Sequence, residues 1–244
     1  MVLILMYHRV HGVGATTDAL RQHLRYLTDH HPLVWPGDSL PGGELSVCLT
    51  FDDANVDFLH EVYPLLDELN AKAIVAVPTR YIEADTKMTM QARLEAQGKA
   101  LMSGDYANTG SPLCTWAELK LMQDSGRVQC ASHGHNHANL CSPGAHLDME
   151  IGLSRELLSK HLKATPRGFV FPYGKTRRDI TDRVLTEYRY AMRIGSALNP
   201  DWDSNGGLLY RVDAEHFWPK GRVWSFRELM KYRLKYLSNR LRNK

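Results

Sequence analysis

Apolar residues fall along the chain in two alternating patterns. Short runs at 2–6, 45–50, 73–77, 128–132, 168–171, 189–194 and 208–212 have the length and the branched-chain content of buried strands. Between them, apolar residues recur every three or four positions. Leu20, Leu24 and Leu27 do so behind a candidate cap at Thr17 or Asp18, and Phe58, Val62, Leu65, Leu66 and Leu69 repeat the spacing. Ile151, Leu157, Leu158 and Leu162 repeat it again. This spacing predicts amphipathic helices. Strands alternating with helices predict right-handed βαβ units, hence an α/β protein with a parallel sheet. Seven strands suit a closed barrel better than a small open sheet. No linker or internal repeat divides the chain, so a single domain over 1–244 is expected. Residues 83–111 interrupt the alternation before a helix starting near Thr115. An insertion of that length, with a short helix around 90–96, reads as a functional loop or a disordered one.

Composition changes this picture at one place. The formal net charge of +3 is uneven, because residues 220–244 hold nine Lys/Arg against Glu228 and carry +8, leaving −5 on the rest. Phe226, Leu229, Met230, Leu234, Leu237 and Leu241 keep a helical period through this basic segment, which predicts a final helix around 225–241. It can pack on the barrel with a solvated basic face, or it can attach to anionic lipid. Nucleic acid is not an expected partner, since no reading module accompanies the charge. The six apolar residues before Tyr7 are too few for a signal peptide or a membrane span. The expectation is a cytoplasmic protein, at most peripheral to the inner face of the membrane. Cys48, Cys114, Cys130 and Cys141 form no CxxC pair and read as free thiols.

In parallel α/β folds, sites form at the carboxyl ends of the strands. Those ends carry Tyr7-His8, Asp52-Asp53, the run His133-Gly134-His135-Asn136-His137, then Pro172-Tyr173-Gly174, and finally Arg211 with Asp213. On one helical turn His133 and His137 would share a face and offer two imidazoles to a metal, with His135 pointing elsewhere. The alternative is a histidine-rich polar loop. Two histidines and one aspartate leave positions open for water and substrate, as catalytic metal sites do. With two adjacent aspartates, one can bind the cation while the other serves as a base. As an alternative, the pair can cap the helix beginning near Val56.

The segments "LTFDDA", "SHGHNHANL" and "FPYGK", in this order, resemble the polysaccharide deacetylase family, the NodB-homology carbohydrate esterases. The likeness runs from Met1 to about Val212, and "LMYHRV" further resembles the circularly permuted poly-N-acetylglucosamine deacetylase subgroup. The resemblance implies a distorted (β/α) barrel and a divalent metal, most often Zn²⁺. It also implies removal of an acyl group from a sugar. It makes Asp52 the general base, Asp53, His133 and His137 the metal ligands, and His8 the general acid. Tyr173 would supply its backbone N–H to the oxyanion. Two departures stand out. The usual glycine after the aspartates is Ala54, which matters only if that position needs φ > 0. The arginine common in the third motif is missing from Val170-Phe171-Pro172-Tyr173, and Arg211 is the candidate to replace it; otherwise Arg211 is an ordinary surface ion pair.

The reading that results is a metal-dependent deacylase acting on an acylated amino sugar, as a lipid- or nucleotide-linked precursor or a polysaccharide. The competing readings are a non-catalytic glycan binder and a metal-dependent phosphoester hydrolase. His135 and His216 are expected to pack or hydrogen-bond. Trp202 and Trp218 can stack on a sugar or belong to the core or rim, and Cys130 and Cys141 are expected to be buried.

Overall fold

A computed structural model describes residues 1–12, 14, 16–103 and 110–241. Among these the order is β1 (Val2–Tyr7), α1 (Thr17–His30), β2 (Ser46–Phe51), α2 (Tyr63–Glu68), β3 (Ala73–Val77), α3 (Met90–Ser103) and α4 (Trp116–Asp124). There follow β4 (Val128–Ser132), α5 (Ser154–Leu162), β5 (Gly168–Val170), α6 (Arg178–Leu185), β6 (Tyr190–Ile194), β7 (Leu208–Asp213) and α7 (Phe226–Leu241). The strands pair in chain order, all parallel, and close into a seven-strand barrel, so the fold is a distorted (β/α) barrel. β1 and β2 pair along their full length, from Val2 with Ser46 to Tyr7 with Phe51. The barrel closes where β1 meets β7, with Ile4 opposite Arg211 and Met6 opposite Asp213. Distortion is greatest between β4 and β5, which share the single pair Ser132–Phe169.

Side chains alternate between lumen and outside with the period of two that a strand imposes. Val2, Ile4, Cys48, Ile74, Ala76, Ala131, Val170, Met192 and Leu209 form one apolar cluster, the lumen. Leu3, Leu5, Val47, Leu49 and Phe51 instead pack with Leu20, Leu24 and Leu27 of α1. Continued upward, the lumen parity reaches Thr50 and Asp52 on β2, Arg211 on β7 and His133 after β4. The apolar lumen therefore ends in a polar layer at the carboxyl ends of the strands. Trp202 packs with Val34 and Trp35 in the lumen cluster and donates its indole N–H to Asp38 O at 2.8 Å, on the side of the strands' amino ends. Trp218 is 1% exposed in the outer core. Neither tryptophan is available to a sugar.

The helices follow the apolar spacing, with three adjustments. Thr16, not Thr17 or Asp18, caps α1 by accepting the Ala19 N–H at 3.2 Å, which leaves Asp18 in the first turn. α3 runs beyond 96 to Ser103, and residues 104–109 of the insertion lie outside the described residues. The described part of that insertion is tied down. Arg93, 2% exposed, forks onto Glu118 at 2.6 and 2.9 Å and also donates to the carbonyls of Ser111 and Leu113. Glu118 in turn completes a capping box with Thr115 at the start of α4. The third adjustment concerns α7. It rests on the barrel through half-buried Leu229 and Tyr232 and buried Tyr236 and Asn239, while Phe226, Met230, Leu234, Leu237 and Leu241 stay exposed. The period placed this helix but not its buried side.

Removing a partner from a buried ion pair leaves the other charge uncompensated. Arg93→Met should therefore lower unfolding free energy by about 3 kcal/mol. Glu118→Gln, which leaves the more deeply buried Arg93 guanidinium without its countercharge, should cost at least as much. Urea titrations of the two variants check the order.

Candidate metal centre and active site

The two aspartates part company at the end of β2. Asp52 continues the strand and points into the lumen mouth, 3% exposed. Asp53 and Ala54 then turn left-handed, at φ +70° and +54°, which swings Asp53 off the strand direction. The position of Ala54 thus does need φ > 0, and an alanine there costs on the order of 1–2 kcal/mol relative to relaxed backbone. Bonds from Cys114 N–H to Ala54 O (2.8 Å) and from Val56 N–H to Pro112 O (2.9 Å) hold the turn. The helical segment that follows begins at Phe58 with Asp57 at its cap position, so neither Asp52 nor Asp53 is a cap.

Arg211 lies beneath Asp52 with 1% exposure. Its guanidinium forks onto both carboxylate oxygens, at 2.6 and 2.8 Å, and reaches Thr50 Oγ1 at 3.1 Å. It is no surface ion pair. Burial pushes the Asp52 carboxyl up, but the guanidinium, with His133 and His8 nearby, outweighs burial and holds it below the usual aspartate range.

Asp53 faces the histidines of the β4 loop. Its Oδ1 lies 3.5 Å from His133 Nε2 and 3.2 Å from His137 Nε2, and the ligating atoms of the three all fall within 4.8 Å of one another. The segment 133–137 is an irregular loop, not the helical turn its spacing suggested; positive φ at Gly134 (+78°) and His137 (+56°) folds the imidazoles together. Glycine suits position 134, because a side chain is strained at this φ and a Cβ, 2.6 Å from Glu150 Oε2, would push that carboxylate aside. Buried Glu150 braces the loop by accepting the N–H groups of His135 and Asn136 at 2.9 and 3.0 Å. His135 itself points away and pairs with Thr79 Oγ1 at 3.0 Å.

This trio fits a divalent cation on its own chemistry. His133 Nδ1–H donates to Val170 O at 2.8 Å, so Nε2 presents a lone pair toward Asp53. Burial pushes the His133 imidazole down to about 4, so it is neutral near pH 7. Asp53 is held well below the usual carboxylate range, because the histidines outweigh its burial. A neutral lone pair therefore faces a carboxylate, acceptor against acceptor, and Asp53 Oδ1 has no hydrogen-bond partner among the described residues. A cation held by Asp53, His133 and His137 satisfies all three groups.

His8, after β1, comes to the same mouth. Its Nε2 is 3.8 Å from Asp52 Oδ2, and its Nδ1 is 3.2 Å from Glu215 Oε1, which also accepts the His8 backbone N–H at 2.9 Å. Burial lowers the imidazole, but the Glu215 bond and the charges of Asp52, Asp53 and Glu215 raise it to about 9. Tyr173 sits at φ +59°, 60% exposed, its ring 5.0 Å from that of His137. Gly174 beside it presses on Ile194, where a Cβ would come within 2.6 Å. His216 is exposed beside Asp213 at 3.5 Å and stays outside the site. Cys48, Cys114 and Cys130 are buried free thiols and Cys141 is partly buried and free. Sequence reasoning missed Glu215 and Glu150. Glu215 lies two residues past the last strand, so its place at a strand end was the available signal. Glu150 sits in a helical stretch with no local signal.

The sequence pattern of the polysaccharide deacetylase family matches residues 40–192. The chain belongs to this family, the metal-dependent carbohydrate esterases and amidases. The fold is similar to that of a de-N-acetylase from Aggregatibacter actinomycetemcomitans, with 19% identity, 95% of this chain and 99% of that one covered, and a TM-score of 0.69. For IcaB from Ammonifex degensii the values are 20%, 87%, 91% and 0.67. For a polysaccharide deacetylase from Bacillus cereus they are 18%, 87%, 64% and 0.66, so this chain spans under two thirds of that structure's length. At such identities the likeness is one of fold. No curated protein matches the chain.

Arg211→Met should leave Asp52 buried without its countercharge and destabilise the fold by about 3–5 kcal/mol near neutral pH. The pH dependence has a definite sign. A carboxyl depressed in the folded state stabilises above its unfolded pKa of about 3.9 and loses that contribution as pH falls. The gap between variant and wild type should narrow as pH falls, first as the uncompensated Asp52 of the variant takes up a proton and then, below about pH 4, as the wild type loses the contribution of its depressed carboxyl. Denaturant midpoints at several pH values test this, and a gap independent of pH contradicts it.

Proposed function

We propose that the protein removes an N-acyl group, acetyl in the simplest case, from an amino sugar. The observation that carries the reading is the pairing of two sites at one barrel mouth. Asp52 is ionised and fixed by Arg211, and beside it stands a separate Asp53–His133–His137 cluster built for a divalent cation, most often zinc in this family. When bound, that cation polarises the acyl carbonyl and eases deprotonation of water. Asp52 accepts a proton from the attacking water, and Arg211 keeps its carboxylate aimed while doing so. The Tyr173 backbone N–H donates to the oxygen that gains charge as the carbonyl carbon becomes tetrahedral. His8, opposite Asp52, gives a proton to the sugar nitrogen as the C–N bond breaks, leaving a carboxylate and a free amine. Glu215, on Nδ1, keeps His8 protonated and oriented.

The exposed Tyr173 ring beside His137 gives the sugar an apolar wall. The "LMYHRV" segment supports the permuted poly-N-acetylglucosamine subgroup, with His8 as its acid. The substrate proposed is an acylated amino sugar, polymeric or carried on a lipid or nucleotide, in surface-glycan synthesis. A phosphoester substrate is less well served, since Arg211 is engaged by Asp52 and faces the lumen.

Acetate release from a panel of N-acetylated amino sugars, free, polymeric, nucleotide-linked and lipid-linked, tests the reading. Metal-loaded protein that releases acetate from none of them contradicts it. On an amide, His8→Ala should lower turnover about 10²–10⁴-fold, and much less on an activated ester whose leaving group needs no proton. His8 must be protonated to act, so kcat/KM should fall as pH rises through its pKa. Glu215→Gln removes a charge and weakens the bond that raises His8, so this basic limb should move to lower pH. A limb that stays in place would exclude His8 as its source.

A further inference from the structure

α7 carries a stripe that the barrel does not use. Phe226, Met230, Leu234, Leu237 and Leu241 are 77%, 41%, 64%, 56% and 87% exposed. At 3.6 residues per turn they fall on one side of the helix. The packed side is different: Leu198 N–H donates to Tyr232 O at 3.1 Å, and Asn239 Nδ2 donates to Gly195 O at 2.9 Å. In the same projection Arg233 and Arg240 border the stripe along one edge, and Arg227 and Lys231 along the other. The helix's only acid, Glu228, lies on the far side, where it accepts the Ser225 N–H and pairs with Arg222.

An apolar stripe fringed by cations selects its occupant by charge. Two copies of α7 meeting stripe to stripe would set arginines and lysines against arginines and lysines, with no facing acid to relieve them. An anionic lipid surface meets both demands, taking the apolar side chains at the acyl boundary and the cations at the phosphates. We infer that α7 lies in the headgroup plane of an anionic phospholipid membrane with this stripe facing down. A second feature agrees. Arg240 also lines, with Arg177, Arg178 and Arg193, a cavity of about 290 Å³ beside α6, where Arg177 is paired with Asp179 at 2.8 Å and Arg178 with Asp182 at 3.9 Å. That cavity suits a headgroup phosphate at the edge of the stripe. Among the described residues no helix is long and apolar enough to cross a membrane. Arg242 and Lys244 extend the basic segment and lie outside the described residues.

Sedimentation with vesicles tests this independently of catalysis. The full chain should bind phosphatidylcholine vesicles containing phosphatidylglycerol, release in high salt, and ignore pure phosphatidylcholine. Replacing Leu234, Leu237 and Leu241 together by Ser changes only exposed positions and should weaken binding about tenfold or more. Replacing Arg227, Lys231, Arg233 and Arg240 by Gln should weaken it about as much and remove most of the salt dependence. Circular dichroism should show both variants folded. Four results would overturn the inference. They are no vesicle binding by the wild type, equal binding to neutral vesicles, binding untouched in both folded variants, and full competition by millimolar inorganic phosphate. A dimer in light scattering that the Leu-to-Ser variant abolishes would assign the stripe to a second copy instead.

Discussion

A guanidinium closed inside a barrel wall is tenable only with a carboxylate in reach of both its arms. Arg211, 1% exposed, has that partner in Asp52, and much else at the mouth follows from the pair. The bond ties β7 to β2 across β1, the strand that closes the barrel. It keeps Asp52 ionised in a place where burial alone would protonate it. It also takes one lone pair on each Asp52 oxygen and leaves the others free to accept a proton, while Asp53 is the carboxylate that faces the histidines. Two adjacent aspartates look like a like-charge fault in the sequence. In the fold they face different ways, Asp52 onto a guanidinium and Asp53 into a cluster with His133 and His137 that fits a metal.

That separation is achieved by backbone, not by side-chain length. Asp53, Ala54, His137 and Tyr173 all adopt φ between +54° and +70°, and all four stand at the one mouth. Each costs on the order of 1–2 kcal/mol. A barrel with a close-packed lumen can hold such strain in the loops that leave it. The gain is that two strand ends, one loop and one tight turn direct their polar groups at a common point.

The strands were legible because buried parallel strands are short apolar runs, and the seven runs land within two residues of the observed elements. The residues of the mouth were legible because lumen parity and strand ends place them. Their local geometry was not. His133 and His137 are separated by the interval of a helical turn, yet Gly134 and Glu150 force an irregular loop that brings the same atoms together. Glu150 and Glu215 act only across tertiary contacts, and a single sequence carries no sign of these. Ala54 shows the limit in another form: an alanine does not announce a left-handed backbone that glycine would have advertised. α7 shows it again, because period fixes a helix but not which of its sides meets the barrel.

The central claim is a division of labour between Asp53, which holds the ion, and Asp52, which does not. Anomalous diffraction from crystals grown with zinc measures this directly. The account predicts one strong peak within ligand distance of Asp53, His133 and His137, with Asp52 still forked onto Arg211. A peak ligated by Asp52, or bound protein in which Arg211 has released that carboxylate, would contradict it.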